Sequence, residues 1–303
     1  KLKMDLGLTP EQIKSRKRFS DFVDEYIAPV ADQNDRDEHT PVELIKRLGE
    51  QGFLGAFIPE EYGGKGMDMV TAGLLCEEIG RGSASLLSLL TINGMVSQAI
   101  LKWGTRAQKE HWLPGLATAE KVAAFGVTEP DIGSDAKSVE TTAELSGNSY
   151  ILNGRKKWIS YGQVADLFLI LAQCDGKPTT FLIERDTPGF STTPITGLLG
   201  FRSAMLAEVQ IEGCRVPEEN LVGRPGFGFS HVTNVALDHG RYCVGWGCLG
   251  LAEACLQASL SYTSERKQFG TNLRGHQLIQ EMIADMITNI KATRLLCYHA
   301  AFL

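Results

Sequence analysis

The sequence predicts an α+β chain in three consecutive parts: an N-terminal all-α domain, a central antiparallel β-barrel or sandwich domain, and a C-terminal helical bundle. Three observations lead there. Apolar residues recur at helical spacing up to about residue 120, the period then shortens to that of extended chain, and beyond residue 222 helical periodicity returns in long stretches. The parts read as 1–120, 121–222 and 223–303, the last taken as an incomplete bundle because no glycine, proline or polar tail ends the helix before Leu303.

In the first part, Thr9-Pro10-Glu11-Gln12 is a capping box with proline at the first helical position. Phe19, Phe22, Val23, Tyr26 and Ile27 follow at helical spacing, and Pro29 is expected to close that helix. Thr40-Pro41-Val42-Glu43 repeats the device and starts a helix that stops near Gly52. Pro59-Glu60-Glu61-Tyr62-Gly63-Gly64-Lys65-Gly66 reads as an irregular loop. It is no phosphate loop, since neither Ser nor Thr follows Lys65. Further helices are predicted over 70–79, 83–103 and 105–112, with Pro114 ending the last.

Candidate strands cover 122–127, 141–145, 150–152, 155–159, 166–173, 179–184 and 207–212. Asn153-Gly154 is a hairpin signal between two of them. No long amphipathic helix interrupts the region, which argues against a parallel Rossmann-type sheet. After it, one helix is expected over about 229–267. The next carries Leu278, Ile279, Met282, Ile283, Met286, Ile287 and Ile290, the doubled stripe of a helix packed on more than one side.

Composition sets limits on function. Hydrophobic residues make up 43% and charged residues 22%, as in soluble globular proteins. A net charge of -6 argues against nucleic acid or an anionic membrane as partner. The seven cysteines are scattered, and Cys243, Cys248 and Cys255 sit in apolar helical pattern, so they read as reduced core thiols. No Cys-x-x-Cys or paired-histidine spacing suggests a metal site. The amino end, Lys1-Leu2-Lys3-Met4-Asp5, lacks the apolar core of a secretory signal. The stretch 244–256 reads as the longest weakly polar one and is too short to span a bilayer. A cytoplasmic protein is expected.

The chemistry concentrates in Phe125-Gly126-Val127-Thr128-Glu129-Pro130-Asp131-Ile132-Gly133-Ser134-Asp135. An apolar strand opens there into a loop with two hydroxyls, Thr128 and Ser134, and a glycine, Gly133, that can expose backbone amides. Those groups suit a flat polar cofactor and its phosphates. A second strand ends in Trp158-Ile159-Ser160, adding an aromatic ring and another hydroxyl. Together the two strand ends read as a grip on a flavin. Taken singly, each residue has a plainer reading. Trp158 suits a core aromatic, Thr128 and Ser160 suit strand caps, and Asp238 with Arg241 suits an i, i+3 helix pair.

Five motifs in order carry a resemblance: Pro59-Glu60-Glu61-Tyr62-Gly63-Gly64, the Thr128–Asp135 loop, Asn153-Gly154-x-Lys156-x-Trp158-Ile159-Ser160, Arg215-Val216-Pro217 and Glu265-Arg266-Lys267-x-Phe269-Gly270. With helices, a β-domain and a bundle in that order, the whole chain resembles the acyl-CoA dehydrogenase family. The resemblance implies FAD as cofactor. It implies that Phe125, Val127 and Thr128 lie at the flavin, with Val127 and Thr128 bonding its pyrimidine side. Gly133 and Ser134 would face the pyrophosphate, and Trp158, Ile159 and Ser160 would flank the ring near its redox nitrogen. Arg266, Gln268, Phe269, Leu273 and Gln277 would reach the FAD of a neighbouring subunit, hence a homodimer or homotetramer. Asp238 and Arg241 match substrate-channel positions.

The implied reaction removes an α-proton from an acyl thioester while a hydride passes from the β-carbon to the flavin. An electron-transfer flavoprotein is the implied electron acceptor. The family's base is a glutamate, either at the position of Gly240, where glycine cannot serve, or beyond Leu303. Gly200-Phe201-Arg202-Ser203-Ala204-Met205-Leu206-Ala207-Glu208, together with 221–228 and 240–248, is similar to a branch acting on acyl groups tethered to an acyl carrier protein. That branch makes hydroxymalonyl, methoxymalonyl or aminomalonyl extender units for polyketides. The expected activity is therefore oxidation of a short, carrier-protein-tethered acyl thioester. The alternatives are an ordinary acyl-CoA dehydrogenase of fatty-acid or amino-acid breakdown, and a noncatalytic flavin-binding scaffold.

Overall fold

The computed structural model describes residues 7–303; the charged amino end, residues 1–6, lies outside the described residues. Contacts divide the chain into two compact units. One comprises the described residues up to Ala31, Asp68–Leu87 and Tyr242–Leu303, and the other Asp32–Met67 and Ser88–Arg241.

The first unit is helical. Helix α1 (Pro10–Phe22) starts on the expected capping box, with Thr9 Oγ1 accepting from Gln12 N at 3.2 Å and Gln12 Oε1 accepting from Thr9 N at 3.0 Å. Pro29 does not end the helical run. A π-helical turn, Val23–Ile27, shifts the hydrogen-bond ladder first, and the helical run continues through Pro29 in α2 (Ala28–Arg36). Helix α4 (Met69–Gly82) is capped by Asp68 and buries eleven consecutive residues, Val70 to Gly80. It packs on α7 (Asn234–Glu265) through small residues: a Cβ at Gly73 would collide with the Trp246 indole, and one at Gly250 with the Glu77 carbonyl. Past α7, Lys267–Gln268 (β9) pairs antiparallel with Thr271–Asn272 (β10), and α8 (Gln277–Phe302) follows. Only part of the stripe predicted for α8 is covered. Ile290 is buried, whereas Leu278 and Met282 are 70% and 62% exposed. Of the cysteines read as core thiols, Cys243 is buried but Cys248 and Cys255 lie on the exposed side of α7.

The second unit holds the sheet. Helix α3 (Val42–Glu50) forms as predicted, but Thr40 does not cap it. The buried Thr40 hydroxyl instead donates to the Ser203 carbonyl at 2.7 Å and lies 3.2 Å from the Tyr161 hydroxyl, because a proline at the cap position leaves that side chain free for a long-range bond. The Pro59–Gly66 stretch folds into a single 3₁₀ turn, Glu60–Tyr62, closed by Gly63 at φ +81°. Helix α5 (Ala84–Trp103) precedes α6 (Arg106–Thr118), which runs through Pro114 instead of stopping there. Burial of Trp112, Leu113, Leu116 and Ala117 on both sides of the proline outweighs one lost backbone bond. Helix α5 and the helical stretch Gly228–Glu265 are long and apolar enough to cross a bilayer by length and composition. Both are longer than 244–256, the stretch expected to be the longest weakly polar one. The apolar window of α5 is 72% buried in the protein, which accounts for its composition.

The strands are β1 (Ala123–Gly126), β2 (Thr142–Ser146), β3 (Ser149–Ile159), β4 (Leu167–Cys174), β5 (Lys177–Glu184), β6 (Phe190–Pro194), β7 (Ala207–Pro217) and β8 (Leu221–Val222). They form one open sheet in the order β6-β7-β3-β2-β4-β5-β8, with β1 joined to β4. Pairing is antiparallel except that β1 and β2 run parallel to β4. The exception follows from β4 itself, Leu167-Phe168-Leu169-Ile170-Leu171-Ala172, an unbroken apolar run buried throughout, as parallel-paired central strands are. The hairpin expected at Asn153-Gly154 is absent, and β3 passes straight through it. A register shift there brings Gly154 so close to Thr141 that a Cβ would lie 2.7 Å from its Cα, and Asn153 Oδ1 accepts from Gly213 N at 2.7 Å.

Candidate functional site

The two strand ends selected in the sequence meet in the second unit, around one cavity of about 410 Å³. Phe125, Val127, Thr128, Gly133 and Ser134 line it from the first, and Trp158, Ile159 and Ser160 from the second. Strand β1 delivers the first group. The chain then turns on itself, Glu129 and Ile132 exchanging backbone bonds of 2.9 and 3.3 Å, so that Gly133 and Ser134 return to the cavity. No atom would approach within 4 Å of a Cβ at Gly133, so its surroundings stay open.

A bulge in β3 delivers the second group. Pairing with β7 slips between Lys156 and Ile159, and Trp158 takes φ +62°, a backbone state that costs a non-glycine residue about 1–2 kcal/mol. The slip takes the Trp158 ring out of the strand's in–out alternation, leaving it 48% exposed with the Lys157 ammonium 5.1 Å above it. A backbone bond, Lys157 N to Thr128 O at 2.9 Å, ties the two walls together.

Four further lining residues escaped the sequence reading: Ile92 on α5, Ala136, Phe229 and Leu237. Ile92 and Leu237 belong to apolar helical patterns that look like ordinary core, so no local signal marks them. Arg241 lines the same cavity; among the described residues it is the one charged side chain that does. Asp238 does not line it. It lies on the same helix with its carboxylate 2.8 Å from Arg241, both side chains being largely exposed.

A buried ion pair adjoins both walls along the chain: Glu129 follows Thr128, and Lys156 precedes Trp158 by two residues. Lys156 Nζ stands 2.7 Å from Glu129 Oε1, with side-chain exposures of 0% and 4%. Burial pushes the Lys156 ammonium down to about 8, against the upward pull of Glu129. Burial works upward on the Glu129 carboxyl too, but the Lys156 charge and the bonds from Lys156, Thr141 and Glu140 outweigh it and hold its pKa below the ordinary value.

The remaining predicted residues lie in the first unit, outside this cavity. Arg266, Gln268 and Phe269 stand on the exposed β9–β10 hairpin, Leu273 on the following 3₁₀ turn and Gln277 at the start of α8. At Gly240 a built Cβ would lie 2.9 Å from Met95 Sδ, so a methionine stands where a side chain would begin. Several of the residues that suggested a carrier-protein branch are packing residues, although Arg241 among them lines the cavity. Ala204, Met205 and Ala207 are 0%, 2% and 0% exposed, Cys243 and Trp246 are equally buried, and none lines the cavity.

The cavity suits a flavin ring. Its volume is that of a small-molecule site, its walls are mostly apolar, and the hydroxyl-bearing Thr128, Ser134 and Ser160 line it beside a half-exposed indole.

Comparison with known proteins agrees. Models of the N-terminal, middle and C-terminal domains of acyl-CoA dehydrogenase match residues 9–120, 124–214 and 226–303. A glutaryl-CoA dehydrogenase of Desulfococcus multivorans is 39% identical over 308 residues, spanning 98% of this chain and 79% of that protein. A glutaryl-CoA dehydrogenase from Mycobacterium smegmatis, solved in complex with FADH2, superposes with a TM-score of 0.92 at 31% identity, over 97% of this chain and 76% of that one. The prolyl acyl carrier protein oxidase AnaB superposes equally well, with a TM-score of 0.92 at 30% identity over 98% and 80% of the two chains. With FAD as cofactor and all three domains matched in order, the chain belongs to the acyl-CoA dehydrogenase family of oxidoreductases.

Proposed function

We propose that the protein oxidises a short acyl thioester of coenzyme A. The observation that carries this reading is the single cavity in which the hydroxyl-bearing strand ends face the apolar Ile92, Phe229 and Leu237, with Arg241 as the charged group. Backbone and hydroxyl groups of Val127, Thr128 and Ser160 hold the flavin ring, and Gly133 and Ser134 take the pyrophosphate. Trp158 covers the ring. Ile92, Phe229 and Leu237 exclude water from the acyl group, and Arg241 with Asp238 steers the thioester arm. When bound, FAD supplies the hydride acceptor. Among the described residues no carboxylate lines the cavity, and Gly240 carries no side chain that could accept the proton.

The similarity to glutaryl-CoA dehydrogenase supports a CoA thioester over a tethered one. A second reading, a carrier-protein thioester for a polyketide extender unit, keeps the support of the likeness to the prolyl acyl carrier protein oxidase. Arg266, Gln268, Phe269, Leu273 and Gln277 serve the FAD of a second copy in a homodimer or homotetramer, an electron-transfer flavoprotein takes the electrons, and the protein works in the cytoplasm. Turnover of butyryl-CoA against the same acyl group on an acyl carrier protein tests the substrate. Faster turnover of the CoA ester is expected, and turnover of the carrier-bound form alone would reverse the choice.

A further inference from the structure

The Glu129–Lys156 pair is built more heavily than a core contact requires. Glu129 Oε1 accepts from Lys156 Nζ at 2.7 Å, from Thr141 N at 2.9 Å and from Thr141 Oγ1 at 2.5 Å, while Oε2 accepts from Glu140 N at 2.6 Å. Lys156 Nζ also donates to the Val127 carbonyl at 3.3 Å. Three segments therefore meet at one point: the loop after β1, the approach to β2, and β3 just before its bulge. Neither residue lines the cavity. Yet Val127 and Thr128 immediately precede Glu129, and Trp158 stands two residues past Lys156.

Energetics argue that stability is not what this pair supplies. Removing both charges from water is costly, and a buried ion pair is commonly matched or bettered by apolar residues of equal volume. Directionality is what an apolar pair lacks. A carboxylate taking four bonds and an ammonium bridging to a carbonyl fix positions to a fraction of an ångström.

We infer that the buried Lys156–Glu129 pair sets the spacing between the two flavin-facing strand ends, so that both are positioning residues acting on FAD through Val127, Thr128 and Trp158. This rests on the flavin site proposed above. The pair locks the loop on one side of the Lys157 N–Thr128 O bond and the bulge on the other, so losing it frees both walls at once. The first unit offers a control that touches no part of the cavity, the Arg294–Glu77 pair at 2.6 Å.

The test uses full-length apoprotein of the wild type, Lys156→Met, the double variant Glu129→Gln/Lys156→Met, and Arg294→Met. FAD dissociation constants are read by fluorescence titration, bound-flavin spectra by visible absorbance, and stability by the thermal midpoint of the apoprotein. Lys156→Met is expected to raise the FAD dissociation constant at least about tenfold and to alter the spectrum of bound flavin. Arg294→Met should lower the midpoint and leave the constant unchanged. In the double variant no buried charge is left unpaired, so the midpoint should recover while the constant stays raised. If Lys156→Met does not fold, the double variant carries the test. A double variant with wild-type affinity, or Lys156→Met with an unchanged constant, overturns the inference and leaves the flavin reading standing. Wild-type apoprotein that takes up no FAD overturns both.

Discussion

Arg294 sets its guanidinium 2.6 Å from Glu77 Oε1, where the Glu77 side chain is 3% exposed. The second cation near that carboxylate, Arg16, stands at 3.6 Å, and Arg294 itself also reaches Glu253 at 3.4 Å. Helices α1, α4, α7 and α8 are thus joined through one buried acid. Arg294→Met leaves Glu77 with only the longer contact. The expected loss is about 3 kcal/mol, the low end for an orphaned buried charge because Arg16 remains. Urea unfolding should show it as a lower midpoint with an unchanged slope.

Gly154 carries a second stability prediction. Its close approach to Thr141 is what lets β3 continue past a sequence that otherwise reads as a turn. Gly154→Ala should cost about 1–3 kcal/mol, since the built Cβ meets backbone of Thr141 at 2.7 Å and backbone cannot give way as a side-chain tip can. The same midpoint measurement reads it; an unchanged midpoint would show that the strand shifts without cost.

The buried pair gives a pH dependence whose sign can be worked out. The Glu129 pKa is held below its ordinary value of 4.5 in the fold, so its contribution is complete above that value and is lost as pH falls through the lowered one. Lys156 acts on the alkaline side. Folded, it releases its proton near 8; unfolded, near 10.5, so between those values the unfolded chain binds more protons and stability on its account rises with pH. Unfolding free energies of the wild type, Glu129→Gln and Lys156→Met across pH should show the Glu129→Gln deficit shrinking in acid. The Lys156→Met curve should lack the alkaline rise.

Much of this was legible beforehand, for physical reasons that differ by element. The capping box at Thr9 is local chemistry, and the structure uses it as written. The cavity walls were legible because apolar strands running into hydroxyls and glycine leave few other uses for those groups. What was missed depends on distant partners. Pro29 and Pro114 look like helix stops until a π-turn and a buried face override them, and Asn153-Gly154 looks like a hairpin until Thr141 and Gly213 occupy its sides. Lys156 was open to notice: it falls on the inward parity of β3 with Tyr150 and Leu152, where a lysine requires a buried acid. Of the residues behind the carrier-protein resemblance, Ala204, Met205, Ala207, Cys243 and Trp246 are core, so their apolar character alone carries no information about a ligand.

Arg266 tests the proposal that the FAD site is shared between two copies of the chain. It stands exposed at the base of the β9–β10 hairpin with no role in the cavity of its own chain. Arg266→Ala should loosen FAD by about 1.5–3 kcal/mol if its guanidinium makes a charge-assisted bond to the cofactor of a second copy. Flavin retained through gel filtration as in the wild type would show a surface charge and nothing more.

The most direct measurement of the central claim is anaerobic. The purified full-length protein, loaded with FAD, is mixed with a short acyl-CoA in the absence of any electron acceptor, and its visible absorbance is followed. The account predicts that the flavin band bleaches on addition of the thioester and returns when an acceptor is admitted. A flavin that stays oxidised with both CoA-bound and carrier-bound acyl groups would contradict it.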